Sequence, residues 1–455
     1  MQFARLKFDP ESSRDGGSLM STRSFVERSR SHYMPCTQYW YDEAPVVLKK
    51  GSGAIVKDVE GNEYIDLIGG WGALVQGHCH PKIVGAIQKQ AEELMQVGIS
   101  LYTPQAAELM ERLAKISPHG QLNRVFIGSA GAIAVECAIQ LARKATKRYE
   151  MIALYGSFHG RTYGGVSLTI QPKFKKSKGP YMPGVAAVPS YYCYRCYFGL
   201  EYPGCGLYCA KFVEHAINLQ TETGQAAAFI AEPVQGVAGH IPAPDGYFKI
   251  VKRILEQYDV LFIDDEIMAG LGRTGKTWAI EHDDVIPDIL TTSKALGGGF
   301  PISATLAREE VAKSFEPFDY VATFYAQPLA CAAAMSALDV IEEERLAERA
   351  AKLGNYFMKR LRELAEEHQI IGDVRGRGML IGVELVKDRR TKDPARDEAV
   401  RFRDEVRKRG VLVASGMGTY GNVIRLHPTV VMNEQHVDKS IEAFDHGFAA
   451  VSRRQ

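Results

Sequence analysis

No stretch of this 455-residue chain approaches the ~20 consecutive apolar residues that a membrane span requires, which excludes a spanning helix. An excess of either charge is also missing. Lys and Arg number 55 against 54 Asp and Glu, a formal +1, so the basic footprint of a nucleic-acid binder is absent and no such partner is expected. Cysteine is scarce at eight residues, too few for a secreted disulfide scaffold, and a reducing cytoplasm is the expected setting. The opening stretch, Met1 to Met34, has no hydrophobic signal core; rich in Ser, Arg and Asp, it reads as a flexible leader or an arm that orders on a partner subunit. There is no internal repeat and no low-complexity segment. What is present is ordinary: 46% hydrophobic and 24% charged residues predict a soluble globular protein, long enough for a large domain with a smaller companion.

Short β-branched runs alternate with helical patterns through the first two thirds. Arg124 to Ile127 precedes a helical stretch from Ala132 to Lys144; Met151 to Tyr155, Ala227 to Ala231, Val260 to Asp264, Ile289 to Thr292 and Ser303 to Ala307 read as further strands. This pattern predicts an α/β fold with a mainly parallel, doubly wound sheet covered by helices on both faces. After Pro328 the texture changes to long amphipathic helices, to about Glu367. A Gly372 to Gly378 turn, strands at Met379 to Val386 and Asn422 to Leu426, and a helix from about Asn433 then predict a small α+β domain. The expected division is an N-terminal segment, 1–75, that joins the small domain; a large domain, 76–328; and a C-terminal small domain, 329–455.

One lysine stands out. Lys294, in Thr292-Ser293-Lys294-Ala295-Leu296-Gly297-Gly298-Gly299, is surrounded by small residues and loop formers instead of a charged helical face. Upstream, the buried-type strand Val260 to Asp264 runs out into Asp265 and Glu266. A lysine to form a Schiff base and a carboxylate to keep a pyridine nitrogen protonated are the two groups that pyridoxal phosphate needs. A competing pattern overlaps this one: Gly270 to Thr277 formally satisfies the phosphate-loop motif of nucleotide hydrolases. In those proteins, however, the acidic strand is a separate and later one, whereas here only Ile267-Met268-Ala269 separates the two elements.

Several spaced motifs then converge. Gly77-His78-Cys79-His80-Pro81, Gly156-Ser157-Phe158-His159-Gly160-Arg161-Thr162, Glu232-Pro233-Val234-Gln235-Gly236, Asp265-Glu266 with Gly270 to Lys276, the Lys294 run and Gly376-Arg377-Gly378 occur in order. From about Tyr41 to the C-terminus the chain resembles the class III pyridoxal-phosphate aminotransferases of fold type I. The resemblance implies that Lys294 holds the cofactor and moves a proton, and that Asp265 pairs with the ring nitrogen. It further implies that Ile267 and Phe158 pack the two ring faces, with His159, Glu232 and Met268 beside the cofactor. Ala130, Gly131 and Ala132 fall in the phosphate cup at a helix start, where backbone N–H groups suffice; the family's usual Ser and Glu are replaced there, by Ala130 and Ile133. Thr323 matches the residue that reaches the phosphate of a neighbouring subunit, so a homodimer or higher homo-oligomer is implied, although Tyr325-Ala326-Gln327 departs from the family's Gly-Gly-Asn.

On the substrate side, Arg425 matches an arginine that grips a carboxylate, a job for its planar fork of donors. The glutamate that restrains it in some relatives is Val237 here. Trp71 and Tyr41 match positions lining the same side. The reaction implied is amino transfer from a primary amine or amino acid to a keto acid such as pyruvate or 2-oxoglutarate. Racemisation of amino acids, which the closing motifs also resemble, is the alternative; a non-catalytic binding protein on this scaffold is a remote one. Outside these motifs, Cys193, Cys196, Cys205 and Cys209 have the paired short spacing of a tetrahedral structural zinc site. Unligated thiols or a disulfide pair are the other readings.

Overall fold

Seven strands rich in Val, Ile, Phe and Ala form the central sheet, in the order Arg124–Gly128, Ser303–Ala307, Ile289–Thr292, Leu261–Asp265, Ala228–Ala231, Met151–Leu154 and Val185–Val188. The computed structural model describes residues 21–36, 41, 44–222 and 224–452. All the strands of this sheet run the same way except Ser303–Ala307, which is antiparallel to both neighbours. Leu261–Asp265 shows why the runs carry no polar alternation: Ile263 packs into a cluster with Val135, Ala138 and Ile139 of the helix Gly131–Thr146, while Phe262 faces the opposite cluster with Phe248 and Val251 of the helix Tyr247–Gln257. Both faces are covered, as a parallel sheet requires.

A smaller antiparallel sheet joins Ile371–Arg377, Leu380–Leu385, Val423–Leu426 and Ala414–Met417. Here the expected Gly372 to Gly378 turn is corrected: it is mostly strand, and only its end reverses. Its glycines serve close approach, since a Cβ on Gly376 would lie 2.3 Å from the Leu380 carbonyl oxygen and one on Gly378 2.6 Å from that of Arg273. A further sheet pairs Leu48–Ser52, Ile55–Asp58 and Glu63–Asp66 with Val411–Leu412, so N-terminal strands join the C-terminal part through Val411 beside Ile65. The leader expected to be flexible is helical over Thr22–His32, where the Ser21 hydroxyl caps the first turn and no residue is buried. Its first twenty residues lie outside the described ones.

Candidate active site

The sheet sets the site. Four adjacent parallel strands end on one side, and past their carboxyl ends the chain places Phe158, Glu232, Asp265 and Lys294; the helix starting at Gly131 follows Arg124–Gly128 to the same side. A crevice at the carboxyl ends of parallel strands is where open α/β sheets bind ligands.

Three carboxylates in a row, Asp264, Asp265 and Glu266, are separated by the strand's alternation. Asp264 is fully buried, and burial with the neighbouring Glu266 raises its carboxyl well above the usual range. Glu266 is likewise raised by burial, to about 8, and accepts from the Ile280 N–H. Asp265 is different: its Oδ2 lies 2.7 Å from His159 Nδ1, and its Oδ1 accepts from the Ile267 N–H at 3.1 Å. His159 keeps Nε2 buried, without a hydrogen-bond partner in the protein. Glu232 accepts from the Phe158 N–H at 3.0 Å and the Gly236 N–H at 2.9 Å, which fixes the loop bearing Phe158; burial lifts its carboxyl to about 7.

Lys294 opens a short 3-10 turn with φ of 35°, in the left-handed region that a lysine adopts only when its surroundings impose it. Burial brings its ammonium down to about 8, against the pull of Asp265 and Glu232. Next to this group Ile267 packs on the helix start, where a Cβ on Gly131 would meet its Cδ1 at 3.0 Å. Ala130 precedes that helix with no side-chain cap, and Ala132 packs on Gly160, so the first turn offers backbone donors alone.

Met268 links this cluster to Arg425, whose Nη2 lies 3.7 Å from the sulfur. Arg425 is buried at 1% exposure, and among the described residues no carboxylate pairs with it; burial lowers its guanidinium to about 10. Its Cζ stands 5.8 Å from the Trp71 ring, which is 44% exposed. Trp71 sits in four successive left-handed residues, Gly69 to Gly72, with φ of 61° at the tryptophan, a conformation that costs roughly 1–2 kcal/mol for an L side chain. Tyr41 is packed in a cluster with Val56, Tyr64 and Leu412, its hydroxyl engaged with the backbone of Val413. Thr323 is exposed, and its carbonyl accepts from Gln96. Tyr325 is tucked against Phe126 of its own subunit at 5.2 Å.

The phosphate-loop pattern set aside above and the cysteine spacing can both be followed in the structure. The Gly270 to Thr277 loop is a closed turn, with Gly272 N–H bonded to the Thr277 carbonyl and the buried Arg273 side chain donating to the carbonyls of Pro428 and Gly72; it leaves no open phosphate cradle. Cys193, Cys196, Cys205 and Cys209 do line one cleft of about 20 Å³. Yet among the described residues the one set of three or more metal-type side chains with ligand atoms within 4.8 Å of each other is Glu367, His368 and Asp445. Four thiolates around zinc, at Zn–S of about 2.3 Å, need closer gathering than these thiols show, so a structural zinc is not supported. The loop is pinned otherwise, by Tyr192 and Arg195 on the buried Glu384 and by Lys392 on the Tyr194 carbonyl. Two buried imidazoles, His240 and His427, escaped the sequence reading. They meet edge to face at 5.2 Å beside Arg425, held neutral first by burial and then by that charge.

Comparison with known proteins adds the family. A family model described as aminotransferase class-III matches residues 36–448. The chain is 38% identical to a leucine/methionine racemase of Thermococcus litoralis, over 95% of this chain and 96% of that protein. It is 39% identical to an acetylornithine aminotransferase of Methanothermobacter thermautotrophicus, over 94% and 99%. Among solved structures, an (S)-enantioselective omega-transaminase from Thermomicrobium roseum superposes with a TM-score of 0.88 at 30% identity, covering 94% of this chain and 99% of that one.

Proposed function

The chain belongs to the class-III aminotransferase family, and from that premise we propose that it moves an amino group from a carboxylate-bearing amine to a keto acid, with Lys294 and Asp265 as the catalytic residues. The family's cofactor is pyridoxal 5′-phosphate, which supplies an electron sink for charge left on the amine-bearing carbon. The residues present fit it. The Lys294 amine would hold the cofactor and, once released by substrate, would carry a proton from the amine-bearing carbon. Asp265, steadied by His159 and the Ile267 N–H, would pair with the ring nitrogen; Phe158 and Ile267 would flank the ring, with Glu232 and Met268 at its edge. Backbone donors at Gly131 and Ala132, in the turn begun by Ala130, would hold the phosphate, and in a dimer Thr323 of the neighbouring subunit would join them. The exposed apolar Phe324 next to Thr323, and Met95 next to the Gln96 that donates to the Thr323 carbonyl, support a homodimer.

In this reading the large domain spans 76–328, and 1–75 with 329–455 form the small one, supported by the pairing of Val411 with Ile65. Among the described residues no helix is long and apolar enough to cross a membrane. A cytoplasmic setting is supported by the eight unpaired cysteines.

The observation that carries the substrate class is Arg425. A buried guanidinium without a counter-ion is expensive, and a substrate carboxylate supplies one. Arg425→Leu should raise KM for an amino acid and for its keto acid partner on the order of 10²-fold, the scale of losing a bidentate charge-assisted pair. A carboxylate-free primary amine should keep its kcat/KM within a few-fold in half-reaction kinetics. Equal losses on both donors would reject the assignment.

A further inference from the structure

One cluster of reactive groups has no part in the reaction above: the thiols of Cys193, Cys196, Cys205 and Cys209. All four are unpaired, and they line one cleft together with Tyr191, Tyr202 and Tyr208. Cys193 opens the 3-10 turn Cys193–Arg195 and is the exposed one of the set. Cys205 stands in the turn before the helix Tyr208–Gln220, its N–H bonded to the Glu201 carbonyl at 2.8 Å. A tetrahedral zinc needs four sulfurs gathered at once, whereas a disulfide needs two, with their Cβ atoms about 3.8 Å apart. The intervening chain has room to bring them together: a Cβ on Gly199 would meet nothing within 4 Å, and one on Gly204 only the Glu201 carbonyl oxygen, at 3.5 Å. Burial raises Cys193 to about 11, and Cys205 is the first of the neighbouring thiols that add to it. A thiol held protonated is a slow nucleophile and a poor leaving group, so a bond formed here persists.

The loop that carries Cys193 is tied to the active site at two points. Tyr191, two residues before it, donates to the backbone carbonyl of Glu232. Tyr192 and Arg195, on either side of it, both bind the carboxylate of Glu384, which is fully buried and also receives Arg375 Nη1 at 2.7 Å. Glu384 in turn pairs in register with Val423, on the strand Val423–Leu426 that carries Arg425.

We propose that Cys193 and Cys205 form an oxidative modification site, converted to a disulfide by a small-molecule disulfide of the glutathione kind, and that the bond weakens substrate binding. The Cys193 sulfur attacks one sulfur of the reagent and expels one thiol; the Cys205 sulfur then attacks the Cys193 sulfur of the mixed disulfide and expels the second. Two protein S–H bonds and the reagent's S–S bond break, one protein S–S bond and two reagent S–H bonds form, and two electrons pass to the reagent. Drawing Cys193 toward Cys205 rotates the turn between Tyr192 and Arg195, pulls them from Glu384 and loosens the strand that presents Arg425. The effect on substrate rests on the carboxylate role of Arg425 proposed above; the bond itself does not.

The test uses the holoenzyme equilibrated with oxidised or reduced glutathione, blocked with iodoacetamide and mapped by mass spectrometry. Oxidation should yield one intramolecular disulfide, Cys193 to Cys205. It should raise KM for an amino acid donor about three- to tenfold, the scale of a lost hydrogen bond, and that for a carboxylate-free amine less than about twofold; reduction should restore both. Cys193→Ser and Cys205→Ser should each match the reduced wild type in KM and ignore oxidised glutathione, whereas Cys196→Ser should respond in full. A different pairing, no disulfide, or a disulfide that leaves KM unchanged overturns the proposal, and so does an equal loss on both donors, the mark of general damage. If the protein turned over no amino acid in either state, the function reading would fail and take the substrate effect with it, an outcome that the peptide map keeps apart from failure of the site.

Discussion

Lys294→Ala should bind pyridoxal phosphate and turn over amino donor at least about 10³-fold more slowly, because in the proposed reaction its amine is both the attachment point and the proton carrier. In the wild type, borohydride reduction followed by peptide mapping should find the cofactor on Lys294 alone. The lowered amine adds a pH signature. Only the neutral amine attacks the cofactor aldehyde, so covalent capture by the apoprotein should rise with pH and level off above about 8, where Lys294 has lost its proton. An ordinary lysine, at ~10.4, would still be climbing at pH 10. Label on a second lysine, or capture that keeps rising to pH 10, would undo the assignment.

Asp265→Asn is the second large effect. The amide keeps the size of the side chain and can still accept from the Ile267 N–H, so cofactor binding should change little. It cannot supply the negative charge that keeps a ring nitrogen protonated, and kcat should fall by about 10²- to 10³-fold, the range for removing one preorganised electrostatic partner. Asp264→Asn makes the contrast, since Asp264 points to the other face of the strand and its carboxyl is raised by burial. It should leave kcat within a few-fold. A reversal of the two variants, measured by stopped-flow half-reactions, would mean that the register of the acidic strand has been misassigned.

The chemistry of this chain was legible where local pattern and function coincide. Buried strands read as unbroken apolar runs, and their carboxyl ends carry Glu232, Asp265 and Lys294, so strand assignment nearly located the crevice. Which of the three neighbouring carboxylates faces it was not legible from composition, because the answer lies in alternation and in the His159 contact across the chain. The glycines from Gly372 to Gly378 read as a turn because their packing partners, Leu380 and Arg273, are tertiary. The cysteine spacing suggested a metal, but spacing fixes neither side-chain direction nor the competing hold of Glu384 on the loop. Tyr41, whose motif position suggested the substrate side, has its hydroxyl engaged by the backbone of Val413.

Transfer and racemisation both begin with loss of a proton from the amine-bearing carbon and part at the next step, and a relative named as a racemase makes the distinction a real one. Racemisation by two bases needs an acid or base opposite Lys294, and the Tyr325 ring is packed on Phe126 at 5.2 Å. The deciding measurement is one incubation of holoenzyme with a single-enantiomer amino acid in deuterated water, with and without 2-oxoglutarate, followed by chiral chromatography and mass spectrometry. Amino transfer predicts keto product and new amino acid in equal amounts only when the keto acid is present. Deuterated mirror-image amino acid, formed at a comparable rate without it, would contradict the account.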